Sequence, residues 1–406
     1  MPSQPESGSP LLRNEPRERA AKRIRPQIQD LPTENIAELA VRAQELGDVI
    51  PLWYGEGDLV TPAFVRDAAK RAFDEGMTFY VPTMHGLPAL SEALSVYQSE
   101  LQGVPIGPER STVAPGGMQA LLLAFALILD LGQNVVYLEP QWPNIRNLIH
   151  LCGGEPRAVP LGFVDNDWAL DLDRIKAACD ARTRAVVFST PSNPTGWVAS
   201  RDDLAALLNF ARERGLWIIS DEVYARLYFD GPVAPSILQV AEPEDLVLSV
   251  NSFSKAWAMT GWRVGWLTHP PSVAPELAAM TQYMNSGTAA VLQAGALAAL
   301  TEGEGLVAEM RERCRHGVDL AYEALSAVSD VKLPEKPRGG MYAFFQLASE
   351  PDSGAACRRI LEAARVGLAP GSLFGEPARS YLRMCICRDP AQLETALARL
   401  CGALRG

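Results

Sequence analysis

Three polar segments of the chain each follow a short apolar run, and each carries side chains that can do chemistry. They read Ser189-Thr-Pro-Ser-Asn193-Pro-Thr-Gly196, Ser220-Asp221-Glu-Val-Tyr224 and Asn251-Ser252-Phe-Ser-Lys255. Taken singly, such segments are typical of a turn, a helix cap and a solvated surface group. Because the carboxyl ends of parallel strands meet at one edge of a sheet, the three in succession predict a ligand site at that edge.

Lys255 has the surroundings of a buried nucleophile, since the residues that follow it, Ala-Trp-Ala-Met, are apolar. Burial lowers the pKa of a lysine and makes its neutral amine available for attack. Eight residues later, Arg263 opens a predicted apolar strand, where a buried guanidinium requires an anion such as a phosphate. A nucleophilic lysine together with a phosphate site indicates pyridoxal 5'-phosphate, held as a Schiff base on the lysine.

With these motifs, the chain resembles the fold-type-I aminotransferases of class I and II, the aspartate aminotransferase superfamily, from about residue 28 to the last helix. The resemblance implies that Lys255 holds the cofactor and moves a proton from the substrate. It implies that Asp221 keeps the pyridine nitrogen protonated, and that Asn193 and Tyr224 hydrogen-bond the phenolic oxygen. Lys255, Asp221 and Tyr224 are therefore the predicted catalytic residues.

The phosphate site is predicted at the start of a helix. Gly116, Gly117 and Met118 precede an apolar helical run, and N–H groups at a helix N-terminus bind anions. In the resemblance, Ser252 and Arg263 supply the hydroxyl and guanidinium that complete the phosphate cup.

Further residues enter through the resemblance alone. Trp142 matches the aromatic residue that stacks on the cofactor ring, and Tyr80 matches the tyrosine that reaches the phosphate of the neighbouring subunit. The latter implies a homodimer with shared active sites. Gly55, Asn193 and Arg383 match the groups that hold the substrate α-carboxylate.

Two departures from the family pattern bear on the substrate. Met118 stands where relatives often carry threonine or a lysine that helps recognise acidic side chains, and Ile145 stands where aspartate aminotransferases place a histidine. No arginine in residues 282–290 matches the one that grips a dicarboxylic side chain. The sequence thus predicts a neutral or hydrophobic amino donor and a 2-oxo acid acceptor, with Trp53, Tyr54 and Met118 as candidate pocket residues.

Other functions remain open at this stage. The same cofactor site serves lyases and synthases, including enzymes similar to C–S lyases, because the protein decides only which bond of the substrate is aligned for cleavage. A non-catalytic sensor module of the same fold is a remote alternative. A sensor of this kind carries a DNA-binding head, and no domain of that size precedes residue 30.

Composition narrows the class of protein. The 406 residues are 48% hydrophobic and 21% charged, which provides for a large buried core. The net charge of −11 argues against a nucleic-acid partner. The longest apolar run, residues 120–129, is too short to cross a membrane, which takes about 20 residues.

Cysteine and histidine usage indicates the compartment. The seven cysteines contain no Cys-x-x-Cys and, with no signal-peptide pattern at the N-terminus, indicate reduced thiols in a cytoplasmic protein. The four histidines have no metal-ligand spacing, so no metal is predicted.

The predicted fold class is α/β, with a mostly parallel sheet covered by helices on both faces and a smaller α+β domain. Strands are predicted at residues 134–138, 184–189, 216–220, 246–251 and 263–268, with helices at 34–46, 144–152, 172–179 and 202–214. The smaller domain is predicted to contain helices at 304–326, 353–365 and from Pro390, and strands at 341–346 and 381–386. The predicted domains are a disordered tail (1–26), a small domain (27–54 and 315–406) and a large cofactor-binding domain (55–314).

Overall fold

The apolar, β-branched runs ahead of the polar segments fold as strands of one large sheet. The computed structural model describes residues 23–32 and 35–405. The strands in chain order are β1 (Ile50–Pro51), β2 (Ser111–Ala114), β3 (Asn134–Glu139), β4 (Glu155–Pro160), β5 (Gly162–Val164), β6 (Asp167–Ala169), β7 (Thr183–Ser189), β8 (Trp217–Asp221), β9 (Val247–Ser252), β10 (Gly265–Thr268), β11 (Val331–Lys332), β12 (Tyr342–Leu347), β13 (Val366–Gly367), β14 (Ala369–Pro370) and β15 (Tyr381–Cys385).

The helices lie around the sheets. In chain order they are α1 (Pro26–Gln29), α2 (Asn35–Leu46), α3 (Ala63–Asp74), α4 (Pro88–Gln102), α5 (Gly117–Ile128), α6 (Pro143–Leu151), α7 (Leu172–Ala178), α8 (Arg201–Arg214), α9 (Ala274–Met284), α10 (Ala290–Glu302), α11 (Glu304–Ser326), α12 (Ser353–Ala364) and α13 (Pro390–Arg405). The predicted tail, residues 1–26, lies outside the described residues except for 23–26.

The large sheet has the strand order β2-β10-β9-β8-β7-β3-β4. All neighbouring pairs are parallel except those of β10, which runs antiparallel to β2 and β9. The predicted mostly parallel sheet is confirmed. Strands β8 and β9 each end one residue later than predicted, at Asp221 and Ser252.

Helices cover both faces of the sheet. Alternate residues of a strand accordingly pack into different hydrophobic clusters. On β8, Ile218 packs into the cluster that includes Leu208 of α8, whereas Ile219 packs into the cluster that includes Leu121 of α5. Successive strand residues point to opposite faces, so a strand that is apolar at every position needs a helix on each side.

Strand pairing gathers the polar segments at one edge. Ser189, the last residue of β7, lies opposite Asp221, and Asp221 lies opposite Val250 of β9. A Cβ added to Gly265 on β10 would lie 2.9 Å from backbone atoms of Gly116 and Gly117, so only glycine lets β10 approach the start of α5 this closely. The N-terminus of α5 therefore sits at the same edge.

A second sheet, β11-β12-β15-β14, is antiparallel and packs with α11 and α12. Its central pairing places Phe344 of β12 opposite Arg383 of β15. Strand β1 pairs with β13, and Leu52 O then accepts a hydrogen bond from Cys385 N–H at 2.8 Å. These contacts lay the segment after β1, which carries Gly55, along β15.

Candidate active site

Asp221 is a buried carboxyl at the end of β8, with only 4% of its surface exposed. Its Oδ1 accepts a hydrogen bond from Val223 N–H at 3.3 Å. No ion pair among the described residues includes it. Burial raises its pKa from 3.8 to about 7, and the neighbouring Glu222 adds to this shift, whereas Lys255 opposes it. A cation brought to this carboxyl would lower its pKa and favour its ionised form.

Lys255 follows β9 and is partly buried at the same edge. Its Nζ donates a hydrogen bond to Gly55 O at 2.6 Å and lies 5.9 Å from the centre of the Tyr224 ring. Burial lowers the pKa of the Lys255 ammonium from 10.5 to about 8. The neutral amine is therefore accessible near physiological pH, as predicted from the apolar residues around it.

Glu222 anchors the turn that carries Asp221 and Tyr224, although no role was predicted for it from the sequence. Its Oε1 accepts hydrogen bonds from the Ser220 hydroxyl at 2.8 Å and from Ile237 N–H at 3.1 Å. Its Oε2 accepts one from the Ser236 hydroxyl at 2.7 Å. Burial raises the pKa of Glu222, and these three donors oppose that shift by stabilising its carboxylate.

The hydroxyl of Tyr224 is hydrogen-bonded to the hydroxyl of Tyr342 at 2.8 Å. Burial raises the pKa of Tyr224 well above 10 and that of Tyr342 to about 12, so both phenols keep their protons. Tyr342 lies on β12 within the predicted strand 341–346 but was not among the predicted site residues. The signal in the sequence is weak: a tyrosine hydroxyl on a mostly apolar strand.

Arg383 and Asn193 meet at the site, as predicted. Arg383 is 5% exposed, its Nη1 donates to Asn193 Oδ1 at 2.9 Å, and its Nη2 donates to the carbonyl of Trp53. Its Nε has no hydrogen-bond partner, and no ion pair of the described residues includes it. A buried guanidinium without an anion is suited to bind a carboxylate.

The start of α5 forms a cup with Arg263. Gly116 adopts a φ of 83°, and a Cβ there would collide with the guanidinium of Arg263, so only glycine fits. The N–H groups of Gly117 and Met118 have no intrahelical acceptor. Nearby, the Ser252 hydroxyl donates to Val264 O at 3.2 Å, and Ser252 ends β9 as predicted.

The prediction that Arg263 is buried at the start of a strand is wrong. The strand begins at Gly265, and Arg263 is exposed with a φ of 54°, in the left-handed region. Its Nη1 donates to Thr260 O at 2.7 Å and to the Ser254 hydroxyl at 3.3 Å. These bonds hold the side chain against Gly116, and no carboxylate among the described residues pairs with it, so the cup is suited to a phosphate.

The residues predicted to contact the cofactor ring and to line the substrate pocket lie in different surroundings. Trp142 precedes α6 and, with Met118, packs against the cluster that contains Ile145. Met118 Sδ accepts a hydrogen bond from Asn144 Nδ2 at 3.4 Å. Trp53 is buried against Gly367, so its carbonyl rather than its ring serves the site.

Two of the predicted residues lie on the surface. Tyr54 is about half exposed. Tyr80 is 83% exposed and makes no side-chain hydrogen bond to any described residue. Within one chain the structure therefore does not bring Tyr80 to the other candidates. Phe79 and Tyr283 are also more than 80% exposed.

No helix of the described residues is long and apolar enough to span a membrane. In the same part of the chain, no three His, Cys, Asp or Glu side chains are grouped as a metal site requires.

Comparisons with known proteins agree with this geometry. The family model for aminotransferases of class I and II matches residues 48–400. The chain is 35% identical over 379 residues to the aspartate/prephenate aminotransferase of Thermus thermophilus, covering 91% of this chain and 94% of the relative. The aspartate aminotransferase of Thermotoga maritima superposes with a TM-score of 0.87 at 31% identity, covering 94% of this chain and 100% of that one.

An alanine aminotransferase from Pyrococcus furiosus also superposes with a TM-score of 0.87, at 26% identity and with the same coverage. The family match spans most of the chain, and the glycine cup, the buried carboxyl and the buried lysine fit the phosphate, the ring nitrogen and the aldehyde of pyridoxal phosphate. The chain belongs to the class I and II aminotransferases and is a pyridoxal-phosphate-dependent enzyme of fold type I.

Proposed function

We propose that this aminotransferase moves an amino group from a neutral or hydrophobic amino acid to a 2-oxo acid by a ping-pong exchange centred on Lys255 and Asp221. The observation that supports this site most directly is the pair itself. A carboxyl with a raised pKa and an amine with a lowered pKa lie at the ends of adjacent strands, next to a cup with no anion of its own.

When bound, pyridoxal phosphate supplies an electron sink for the negative charge that develops on the substrate Cα. Asp221 holds the proton on the pyridine nitrogen, and each unit by which it raises that pKa corresponds to about 1.4 kcal/mol. Tyr224 and Asn193 Nδ2, which has no hydrogen-bond partner among the described residues, would donate to the phenolic oxygen. Trp142 would lie against the ring.

The remaining residues bind the charged ends of the two molecules. The N–H groups of Gly117 and Met118, the Ser252 hydroxyl and the Arg263 guanidinium bind the phosphate. Arg383, held by Asn193 and the carbonyl of Trp53, binds the substrate α-carboxylate next to Gly55. Lys255 Nζ would hold the aldehyde of the cofactor and, as a neutral amine, could take up a proton from the substrate Cα.

The amino donor is set by the absence of a cation on α5. Met118 occupies the second position of that helix, where its thioether accepts a bond from Asn144 and offers no charge. A second carboxylate buried without a partner is costly. The relatives include aspartate and alanine aminotransferases, so family membership alone does not decide the donor.

The proposal includes the oligomeric state of the protein and its place in the cell. The exposed Phe79, Tyr80 and Tyr283 support a homodimer in which Tyr80 reaches the phosphate of the neighbouring subunit. All seven cysteines are free, which supports a cytoplasmic location. The antiparallel sheet β11-β12-β15-β14 is separate from the large sheet, which supports closure of the predicted small domain (its residues 34–54 and 315–406) on the large one (55–314).

The assignment of Lys255 is tested by borohydride reduction of the holoenzyme followed by peptide mapping. We expect the pyridoxyl group on Lys255, because its amine is the one at the site with a lowered pKa. Lys255→Ala should lose several orders of magnitude in rate, since both the nucleophile and the proton carrier are removed. The exposed Lys176→Ala is the matched control and should keep its label and rate. A label on any other lysine would refute the assignment.

The raised pKa of the buried Asp221 carboxyl predicts how the stability of the apoenzyme depends on pH. The pKa of Asp221 is raised from 3.8 to about 7, so its contribution to stability is complete below pH 4 and is lost as pH rises through 7. Asn mimics the protonated carboxyl. Apo Asp221→Asn should therefore melt several degrees above the wild-type apoenzyme at pH 8, and at nearly the same temperature at pH 4.

The exposed Asp74→Asn is the control and should show no such pH-dependent difference. An Asp221→Asn apoenzyme that melts below wild type at pH 8 would mean that the carboxylate is stabilised rather than strained. In the holoenzyme, the same variant should be crippled in turnover, because an amide does not hold a pyridinium.

Donor preference is tested by comparing kcat/KM for aspartate with kcat/KM for alanine, leucine or phenylalanine and one common acceptor. We expect a neutral donor to be preferred, and Met118→Lys to raise the aspartate value relative to it by tenfold or more, about 1.4 kcal/mol. Met118→Leu should leave the ratio unchanged. A wild-type preference for aspartate of tenfold or more would show that another cation reaches the pocket.

The shared site is tested by mixing two inactive variants, Tyr80→Ala and Lys255→Ala. Each mixed dimer then has one site with both native residues, so equal mixing should restore about a quarter of the wild-type sites. Sedimentation should give twice the mass of one chain. Dimers that exchange subunits without recovering activity would place Tyr80 outside the neighbour's site.

A further inference from the structure

Tyr342 fixes a hydroxyl in the middle of the site. It is fully buried on β12, and its oxygen lies 2.8 Å from the hydroxyl oxygen of Tyr224. A Cβ added to Gly55 would collide with this hydroxyl, so the segment after β1 packs directly onto it. The guanidinium carbon of Arg383 lies 4.4 Å from the centre of the Tyr342 ring and holds the ring from its other side.

Counting protons gives the direction of the Tyr224–Tyr342 hydrogen bond. Each phenol has one proton to donate. In the proposed site, Tyr224 gives its proton to the phenolic oxygen of the cofactor, so its oxygen is left to accept. The bond must then run from the Tyr342 hydroxyl to Tyr224, and no other acceptor for that hydroxyl exists among the described residues.

Arg383 does not decide which phenol donates, because its positive charge acts to lower the pKa of both. The positive charge of Arg383 acts to lower the pKa of Tyr342, although burial raises it overall to about 12. A hydroxyl that accepts a hydrogen bond donates its own proton more strongly, since bonds in a chain polarise one another.

We propose that Tyr342 is a positioning residue that donates to Tyr224 and thereby strengthens the hydrogen bond from Tyr224 to the phenolic oxygen of the cofactor. This inference rests on the proposed function, in which Tyr224 touches that oxygen. With the cofactor bound to Lys255, the nitrogen that joins them would lie next to the same oxygen and would share its proton with it. A stronger donor to the oxygen competes for it, and so lowers the pH at which the nitrogen loses its proton.

The test is a spectrophotometric pH titration of the visible band of the holoenzyme. Tyr342→Phe keeps the ring against Arg383 and removes only the hydroxyl, so it should raise the pKa of this band by about half a unit. Tyr224→Phe should raise it more. The double variant should match Tyr224→Phe alone, because Tyr342 acts through Tyr224. Tyr322→Phe, which loses a buried hydroxyl bonded to Glu335 O, is the matched control and should not move the band.

The outcomes separate this inference from the function it rests on. If Tyr224→Phe moves the band and Tyr342→Phe does not, Tyr342 only packs and the inference is overturned while the site stands. If the two shifts add in the double variant, Tyr342 does not act through Tyr224, which also overturns it. If Tyr224→Phe itself leaves the band unmoved, the proposed role of Tyr224 fails. The melting temperature of each apoenzyme confirms that the variants are folded.

Discussion

A carboxyl and an amine buried at the ends of neighbouring strands are the constraint on which the rest of the site depends. Desolvation raises the pKa of Asp221 to about 7 and lowers that of Lys255 to about 8, so each can lose its charge near physiological pH. Such a pair lowers the stability of the ligand-free protein. The cost is offset when a ligand brings a cationic nitrogen to the carboxyl and an aldehyde to the amine, which is how the fold selects its cofactor.

The second constraint is that the site is built where two sheets meet. Arg383 comes from the antiparallel sheet and Asn193 from a loop of the parallel one, and their hydrogen bond joins the two. The segment after β1 lies between them and supplies the carbonyls of Trp53 and Gly55 to the buried cations. In the proposed function, a substrate carboxylate takes over part of this bonding, so substrate binding acts on the contact between the sheets.

The sequence predicts the parts of the site that follow directly from strand ends. Asp221 and Lys255 could be predicted because each directly follows an apolar run. A polar side chain in that position lies at the edge of the sheet where ligands bind. The left-handed backbone at Arg263 gives no sequence signal, so its exposure was missed. Tyr342 and Glu222 were missed because their partners, Tyr224 and Ser236, are set by strand register and loop packing. The antiparallel direction of β10 could not be predicted either, since a strand buried on both faces has the same apolar pattern in either direction.

The fold raises the pKa of the buried Asp221 carboxyl to about 7 in the ligand-free protein, and we infer that the bound cofactor lowers it. Carbon-13 NMR of apoenzyme labelled at the aspartate carboxyls measures this directly, with Asp221→Asn identifying the resonance. We expect a titration midpoint near 7 for the Asp221 carboxyl in the apoenzyme, and a carboxyl that stays ionised through this pH range once the cofactor is bound. A midpoint below about 5 in the apoenzyme, close to that of an ordinary aspartate, would contradict it.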